Sequence, residues 1–147
     1  SNATLDILEQ MRLAALLQKH EQADARVLPV DQALALATSD GARALGQAHL
    51  IGRLHEGYLA DIILIRLDAP HLQPIHHLGA TVVYAARASD VDTVIIHGKL
   101  VMEGRRLLTL DLPAILNEAQ ARAGRLADRG HGRRIQTYRT GAAEMRE

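Results

Sequence analysis

Histidine is the residue type in this chain that is best suited to metal chemistry. Eight histidines occur in 147 residues, and His71, His76 and His77 lie within a stretch of seven positions. Because imidazole nitrogens are common zinc ligands, a loop that carries three of them could bind zinc or nickel. However, adjacent residues of an extended chain point to opposite sides, and no carboxylate stands at helical i, i+4 spacing with these histidines. We therefore predict a polar loop here, and no metal ligands in this sequence.

The remaining histidines stand singly in predicted turns or near a terminus, and the sequence contains no His-x-His pair. A lone histidine without a second ligand nearby in the sequence gives no support for a metal centre. We predict that all five are surface residues: His20, His49, His55, His97 and His131.

Other patterns that could carry catalysis or anion binding are also weak. Thr38, Ser39 and Ser89 lie beside predicted helix ends without a recognisable base, which favours a capping role over a nucleophilic one. Gly52 and Gly57 do not form a phosphate loop, because Gly57 is followed by a strand and not by Lys-Ser/Thr and a helix. The arginine pairs at 105–106 and 133–134 are predicted to be solvated, since the net charge is zero. We predict no catalytic residue in this chain.

Residues 51–67, IGRLHEGYLADIILIRL, are the stretch around which the fold is predicted to form. Residues 52–54 are predicted to be extended, and residues 55–57 to form a turn in which Gly57 takes a positive φ. The unbroken aliphatic run at 62–65 is typical of a strand that is covered on both faces. A second strand is predicted at 91–96, followed by a turn at His97–Gly98, an antiparallel return over 99–102 and a further turn at 103–106.

Helices are predicted before, between and after these strands in the sequence. The first runs over residues 5–19 from an N-cap at Thr4, with Asp6 and Glu9 near its positive end. Spacings of three and four place its apolar stripe on Leu5, Leu8, Met11 or Arg12, and Leu16, and a polar loop follows at 20–25. Further helices are predicted after Pro29, at 41–45, at 78–87 and from an Asp111 cap with Pro113 in the first turn; residues 69–74, with two prolines, are predicted to be a loop.

Eight short segments of the chain carry a family resemblance: LDILEQMRLAAL at 5–16, ATSDGARALG at 37–46, IGRLHEG at 51–57, ADI at 60–62, APHLQP at 69–74, VYAA at 83–86, SDV at 89–91 and IHGK at 96–99. Together they resemble the C-terminal part of the metal-dependent amidohydrolase superfamily. Within it, the chain is most similar to the branch of deaminases and chlorohydrolases that includes the methylthioadenosine/S-adenosylhomocysteine deaminases. The resemblance covers residues 4–128.

The resemblance implies an α/β fold made of two parts, a TIM-like barrel and a composite β-sandwich. Residues 4–50 would supply helices of the barrel's C-terminal end, residues 51–104 strands of the sandwich with a short helix, and residues 105–147 a terminal helix and a polar tail. Ser1–Asn2–Ala3 is typical of the remnant of a cleaved expression tag. Since the family often has Ser-Asn-Asn before this helix, a native Ser1–Asn2 is the alternative.

The resemblance also implies hydrolysis of a non-peptide C–N bond, as in a deaminase, at a divalent metal ion, zinc or iron. A metal-bound water with a lowered pKa would supply the hydroxide. The family's metal ligands would lie upstream of Leu5, so we expect no cofactor in this portion and no activity of the portion alone. Two alternatives remain open: a non-catalytic assembly or binding module derived from the family, and one half of a split enzyme.

Composition sets further limits. Hydrophobic residues make up 48% of the chain and aromatic residues 2%, so the core must be aliphatic. Seventeen basic and seventeen acidic residues give no argument for nucleic acid or an anionic membrane as a partner. Without cysteine there are no disulfides, and a cytoplasmic location is expected. Because strands with part of their cover missing recruit other chains, we expect either a homo-oligomer or a barrel segment supplied separately.

Overall fold

The computed structural model describes residues 5–129, which form two compact units divided between Thr109 and Leu110. The first unit contains four helices, α1 (Ile7–Gln22), α2 (Val30–Ala37), α3 (Ser39–Ala44) and α4 (Leu78–Tyr84). Its strands are β1 (Ile62–Ile65), β2 (Val91–Ile96), β3 (Lys99–Glu103) and β4 (Arg106–Leu107). They form one antiparallel sheet in the order β1-β2-β3-β4. The architecture is therefore helices combined with a small antiparallel sheet.

Helix α1 begins two residues later than predicted, because Asp6 is its N-cap. The Asp6 carboxylate accepts hydrogen bonds from the backbone N–H groups of Leu8 and Glu9, at 3.0 and 3.1 Å. At the other end the helix continues through the predicted loop to Gln22 and stops at Ala23, whose φ is 49°. Lys19 stabilises the loop that follows, since its ammonium group donates to the carbonyl oxygens of Ala25 and Val27. The predictions of a Thr4 cap and of a loop at 20–22 are therefore wrong.

The buried face of α1 also differs from the predicted stripe. Leu8, Met11 and Ala15 are buried in the core, whereas Leu5 and Leu16 are exposed. Leu5 precedes the cap, and Leu16 follows Ala15 directly, which turns its side chain about 100° away from the buried face. Ala15 of α1 and Ala33 of α2 are both fully buried, and small residues of this kind allow the two helices to approach closely.

Strand β1 has the predicted limits but not the predicted cover. It is an edge strand that pairs only with β2, with Ile62 opposite Ile95 and Ile63 opposite Val94. Its two central side chains are exposed, and of its four residues only Ile65 packs against the buried core. The expectation of a strand covered on both faces is therefore not met by the described residues of this unit.

Two tight turns connect β2 to β3 and β3 to β4. His97 and Gly98 both have positive φ, as the predicted hairpin between β2 and β3 requires. The predicted turn at 103–106 is shorter than expected, because Gly104 and Arg105 alone have positive φ and Arg106 already pairs as β4. Two residues with positive φ are enough to reverse the chain direction between two antiparallel strands. The turn is therefore short enough to be followed by β4, a strand that was not predicted from the sequence.

The segment between α4 and β2 is short and tightly bonded. Helix α4 ends at Tyr84 and not at residue 87, and the N–H groups of Ala85 and Ala86 both donate to the Thr81 carbonyl oxygen. The Arg12 guanidinium of α1 donates to the carbonyl oxygens of Val83 and Ala86, which are free once the helix has ended.

The second unit contains α5 (Leu112–Arg129). The Asp111 carboxylate accepts a hydrogen bond from the Ala114 N–H at 3.1 Å, and Pro113 lies in the first turn, so the predicted start is confirmed. Predictions for the tail, including His131 and the arginine pair at 133–134, lie outside the described residues. Across residues 5–129, no helix has both the length and the apolar character that crossing a bilayer requires.

Candidate functional site

Several polar side chains of the first unit bond to residues 86–91, which we call the 86–91 segment. The His71 Nε2–H donates to a carboxylate oxygen of Asp90 at 2.9 Å, and the Arg87 backbone N–H donates to the same oxygen at 2.8 Å. The Asp90 side chain is 8% exposed and the His71 side chain 30%. Since an ionised carboxylate only accepts hydrogen bonds, the proton of this pair lies on His71 Nε2.

Charged side chains from other elements bind the same segment. The second carboxylate oxygen of Asp6 accepts from the Ala88 N–H at 3.2 Å, across 82 residues of sequence. The Arg105 guanidinium donates to the carbonyl oxygens of Ala88 and Val91 at 2.9 and 3.0 Å. Arg105 is exposed, in agreement with the prediction for the 105–106 pair, and in addition its guanidinium links the β3–β4 turn to this segment. The 86–91 segment joins helix α1, the 3₁₀ turn Pro70–Leu72 and the β3–β4 turn.

The electrostatics of Asp90 reflect two opposing effects. Burial raises the pKa of the Asp90 carboxyl, but the hydrogen bonds from His71 and from the Arg87 N–H lower it by more, so the net pKa lies below its ordinary value. An aspartate whose pKa is lowered in the folded state stabilises the fold above its ordinary pKa. That stabilisation is lost as the pH falls through the pKa of the folded state.

Replacing Asp90 by asparagine therefore has a pH-dependent expected effect. At pH 7 we expect the free energy of unfolding to fall by about 2 kcal/mol, because hydrogen bonds to a charged, buried group are lost. The difference between Asp90→Asn and the parent should shrink as the pH falls below the ordinary aspartate pKa of about 3.9 and through the lower pKa of the folded state, because the parent's carboxylate is then protonated as well. Urea unfolding at a series of pH values measures this. A difference that stays constant with pH would contradict the assignment, and Asp92→Asn is the neighbouring control.

The geometry does not make the His71–Asp90 pair a catalytic triad. Nε2, the nitrogen that donates to Asp90, is engaged by the carboxylate, and within the described residues no serine or threonine hydroxyl bonds to the ring. Thr38 was predicted to cap α3, but its hydroxyl donates to the Leu34 carbonyl oxygen at 2.7 Å and does not cap that helix. The pair is suited to joining two chain segments.

The other predicted histidines are dispersed. His77 accepts a hydrogen bond from the Ala80 N–H through Nδ1 and so caps α4, while His76 is exposed. His49, His55 and His97 are exposed in turns as predicted; His20 is exposed too, but within α1. In the part of the chain that the structure describes, no three His, Cys, Asp or Glu side chains come together as metal ligands. The donor set present here therefore does not fit a catalytic metal ion.

Gly52 and Gly57 allow backbone conformations that other residues rarely adopt. Both have positive φ, 87° and 84°, and the predicted turn at 55–57 is confirmed. Gly52 is not extended as predicted: it lies against α3, where an added Cβ would be 2.7 Å from the Ala42 Cβ and 2.9 Å from the Thr38 carbonyl oxygen. The one signal for this contact in the sequence is the small size of the residues involved: Gly52 has no side chain, and α3 contains small residues that allow close approach.

Comparison with known proteins identifies the family to which the chain belongs. A sequence profile described as the Amidohydrolase family matches residues 1–101. The match includes α1 to α4, β1 and β2, and therefore both the helices and the start of the sheet. The chain belongs to the amidohydrolase family, which confirms the resemblance inferred from the sequence.

Its curated relatives include several proteins with one name. The 5-methylthioadenosine/S-adenosylhomocysteine deaminase of Pelotomaculum thermopropionicum is 52% identical over 129 residues, 88% of this chain and 30% of the relative. The protein of the same name from Desulforudis audaxviator is 48% identical over 128 residues, again 30% of its length. The chain thus spans about 30% of the length of these relatives.

Solved structures agree with the sequence relatives. An adenosine deaminase from Xanthomonas campestris with bound zinc superposes with a TM-score of 0.80 at 34% identity, over 83% of this chain and 28% of that one. An atrazine chlorohydrolase from Arthrobacter aurescens TC1, complexed with zinc, gives a TM-score of 0.68 at 30% identity, over 78% of this chain and 25% of that one. The described fold is therefore a recognisable part of a deaminase-like amidohydrolase fold.

Proposed function

We propose that residues 4–128 form the C-terminal portion of a deaminase-type amidohydrolase that acts on a non-peptide C–N bond. The observation that carries this proposal is the identity of 48–52% to 5-methylthioadenosine/S-adenosylhomocysteine deaminases, which extends over 87–88% of this chain. The role of this portion is structural: residues 4–50 close a barrel and residues 51–104 contribute strands to a composite β-sandwich. A cytoplasmic location is part of the same proposal.

The metal belongs to the proposal for the whole enzyme and not to this portion. Two structural neighbours are described with zinc, which supports a divalent metal, zinc or iron, in a complete member. The described residues bring no three suitable ligands together, so the ligands would be supplied by other parts of the fold. The carboxylate of the His71–Asp90 pair is already engaged in a structural contact.

The first test is an assay of this chain by itself. We expect no ammonia release above buffer from methylthioadenosine or S-adenosylhomocysteine with zinc added, since residues 5–129 bring no three metal-ligating side chains together. Guanine and cytosine serve as further substrates in the same assay. Turnover that requires this polypeptide would overturn the proposal of a structural role.

The second test asks for activity in a complete fold. In a chimera, the matched 129 residues of the Pelotomaculum thermopropionicum relative are replaced by the corresponding residues of this chain. We expect ammonia release within about tenfold of the parent relative, a loss of about 1.4 kcal/mol in transition-state stabilisation. A folded chimera that holds stoichiometric zinc but releases no ammonia would contradict the proposed deaminase function.

A further inference from the structure

Helix α1 has a second apolar face that nothing in the described part of the first unit covers. Leu13, Leu16 and Leu17 stand at i, i+3 and i+4 and therefore form one stripe. They are 46%, 49% and 53% exposed, whereas Leu8, Met11 and Ala15 fill the core from the opposite side. A helix that is apolar on two faces is typical of a helix covered on both sides.

The surroundings of this stripe resemble the edge of an interface. Glu9 lies one helical turn before Leu13, and His20 lies one turn after Leu16; both are exposed. An apolar centre with a polar rim is the usual arrangement of a protein contact surface. The stripe is unlike the single exposed apolar side chains that occur on any protein surface.

We propose that the Leu13–Leu16–Leu17 stripe is the docking face for the part of an amidohydrolase fold that this chain does not span. This proposal rests on the proposed function. The argument for this occupant is length: more than two thirds of each close relative lies outside the match, although the matched stretch itself is about half identical. The same holds for the structural neighbour with the TM-score of 0.80. The stripe recognises the remaining polypeptide of a deaminase as its partner, whether joined covalently or supplied separately.

The absence of cysteine from the sequence provides a clean footprinting experiment. Leu17→Cys introduces a single thiol within the stripe, and His49→Cys introduces one at an exposed polar position in a turn. Each variant is labelled with a maleimide, alone and after co-expression and co-purification with the unmatched portion of the Pelotomaculum thermopropionicum deaminase. In the complex we expect labelling of Leu17→Cys to slow by at least about tenfold, because the reagent then reaches the thiol only through local opening. His49→Cys should label at an unchanged rate.

The outcomes separate the possible occupants. If a complex forms and Leu17→Cys labels at its free rate, the docking proposal is wrong; if no complex forms, the Leu17→Glu variant of the covalent chimera decides. If Leu17→Cys is already protected in the chain alone and the chain sediments as a dimer, a second copy is the occupant and the proposal is equally wrong. If Leu17→Cys is protected in a complex that releases no ammonia, the docking face stands and the proposed function fails.

Because the separate partner portion can fail to fold, the covalent chimera provides an independent measurement. Leu17→Glu in the chimera is expected to abolish the soluble folded protein or lower its melting temperature markedly, whereas His49→Glu is expected to leave both unchanged. Equal behaviour of the two variants would overturn the proposal even if no complex of separate chains were obtained.

Discussion

Gly52→Ala is expected to lower the free energy of unfolding of the first unit by about 3 kcal/mol or more. Two costs combine at this position. A residue with a Cβ at a φ of 87° is strained by about 1–2 kcal/mol. In addition, the new methyl group would lie 2.7 Å from the Ala42 Cβ and 2.9 Å from the Thr38 carbonyl oxygen, so α3 would have to move. Overpacking of that kind costs about 1–3 kcal/mol.

Gly57→Ala is the matched control for this prediction. Gly57 has nearly the same φ, 84°, but no heavy atom lies within 4 Å of its added Cβ. We therefore expect only the conformational cost, about 1–2 kcal/mol. Urea unfolding followed by circular dichroism gives both values. Equal losses for the two variants would show that α3 does not press against residue 52, and would contradict the described packing.

Leu72→Ala is expected to have an effect of similar size, for a different reason. Leu72 lies in the 3₁₀ turn Pro70–Leu72, is 2% exposed and belongs to the core cluster with Leu8, Met11 and Val83. Truncation removes buried methyl groups and leaves a cavity, which costs about 3 kcal/mol for a fully buried leucine.

Leu54→Ala tests whether this loss comes from burial. The Leu54 side chain is 82% exposed, so its truncation should change the free energy of unfolding by less than about 0.5 kcal/mol. Thermal unfolding of the parent and the two variants measures the difference. A loss for Leu72→Ala as small as that for Leu54→Ala would place the Pro70–Leu72 turn outside the core.

The two predictions involve segments whose role the sequence did not reveal. Residues 69–74 were predicted to be a loop because of their prolines, and residues 52–54 to be extended. Local preferences describe the backbone at these places but not its tertiary contacts: Leu72 belongs to the core cluster, and Gly52 packs against α3. The same holds for His71 and Asp90, which belong to two polar stretches 19 residues apart and bond only because the sheet and the 3₁₀ turn bring them together.

Much of the local structure was predictable. The limits of β1 and β2, the turns at Gly57 and at His97–Gly98, the Pro29 and Asp111 helix starts and the amidohydrolase resemblance all follow from residue types that act on their immediate neighbours. Apolar runs, glycines with positive φ and capping carboxylates have short-range effects, so sequence alone determines them.

Only the tertiary structure decided which side chains hold these pieces together. Asp6 and Arg12 of α1 reach residues 83–88, Arg105 reaches the carbonyl oxygens before β2, and the second apolar face of α1 remains exposed. These contacts join residues up to 82 positions apart. A polar or apolar side chain is compatible with many partners until the topology places one of them within bonding distance, which is why spacing along the chain could not identify them.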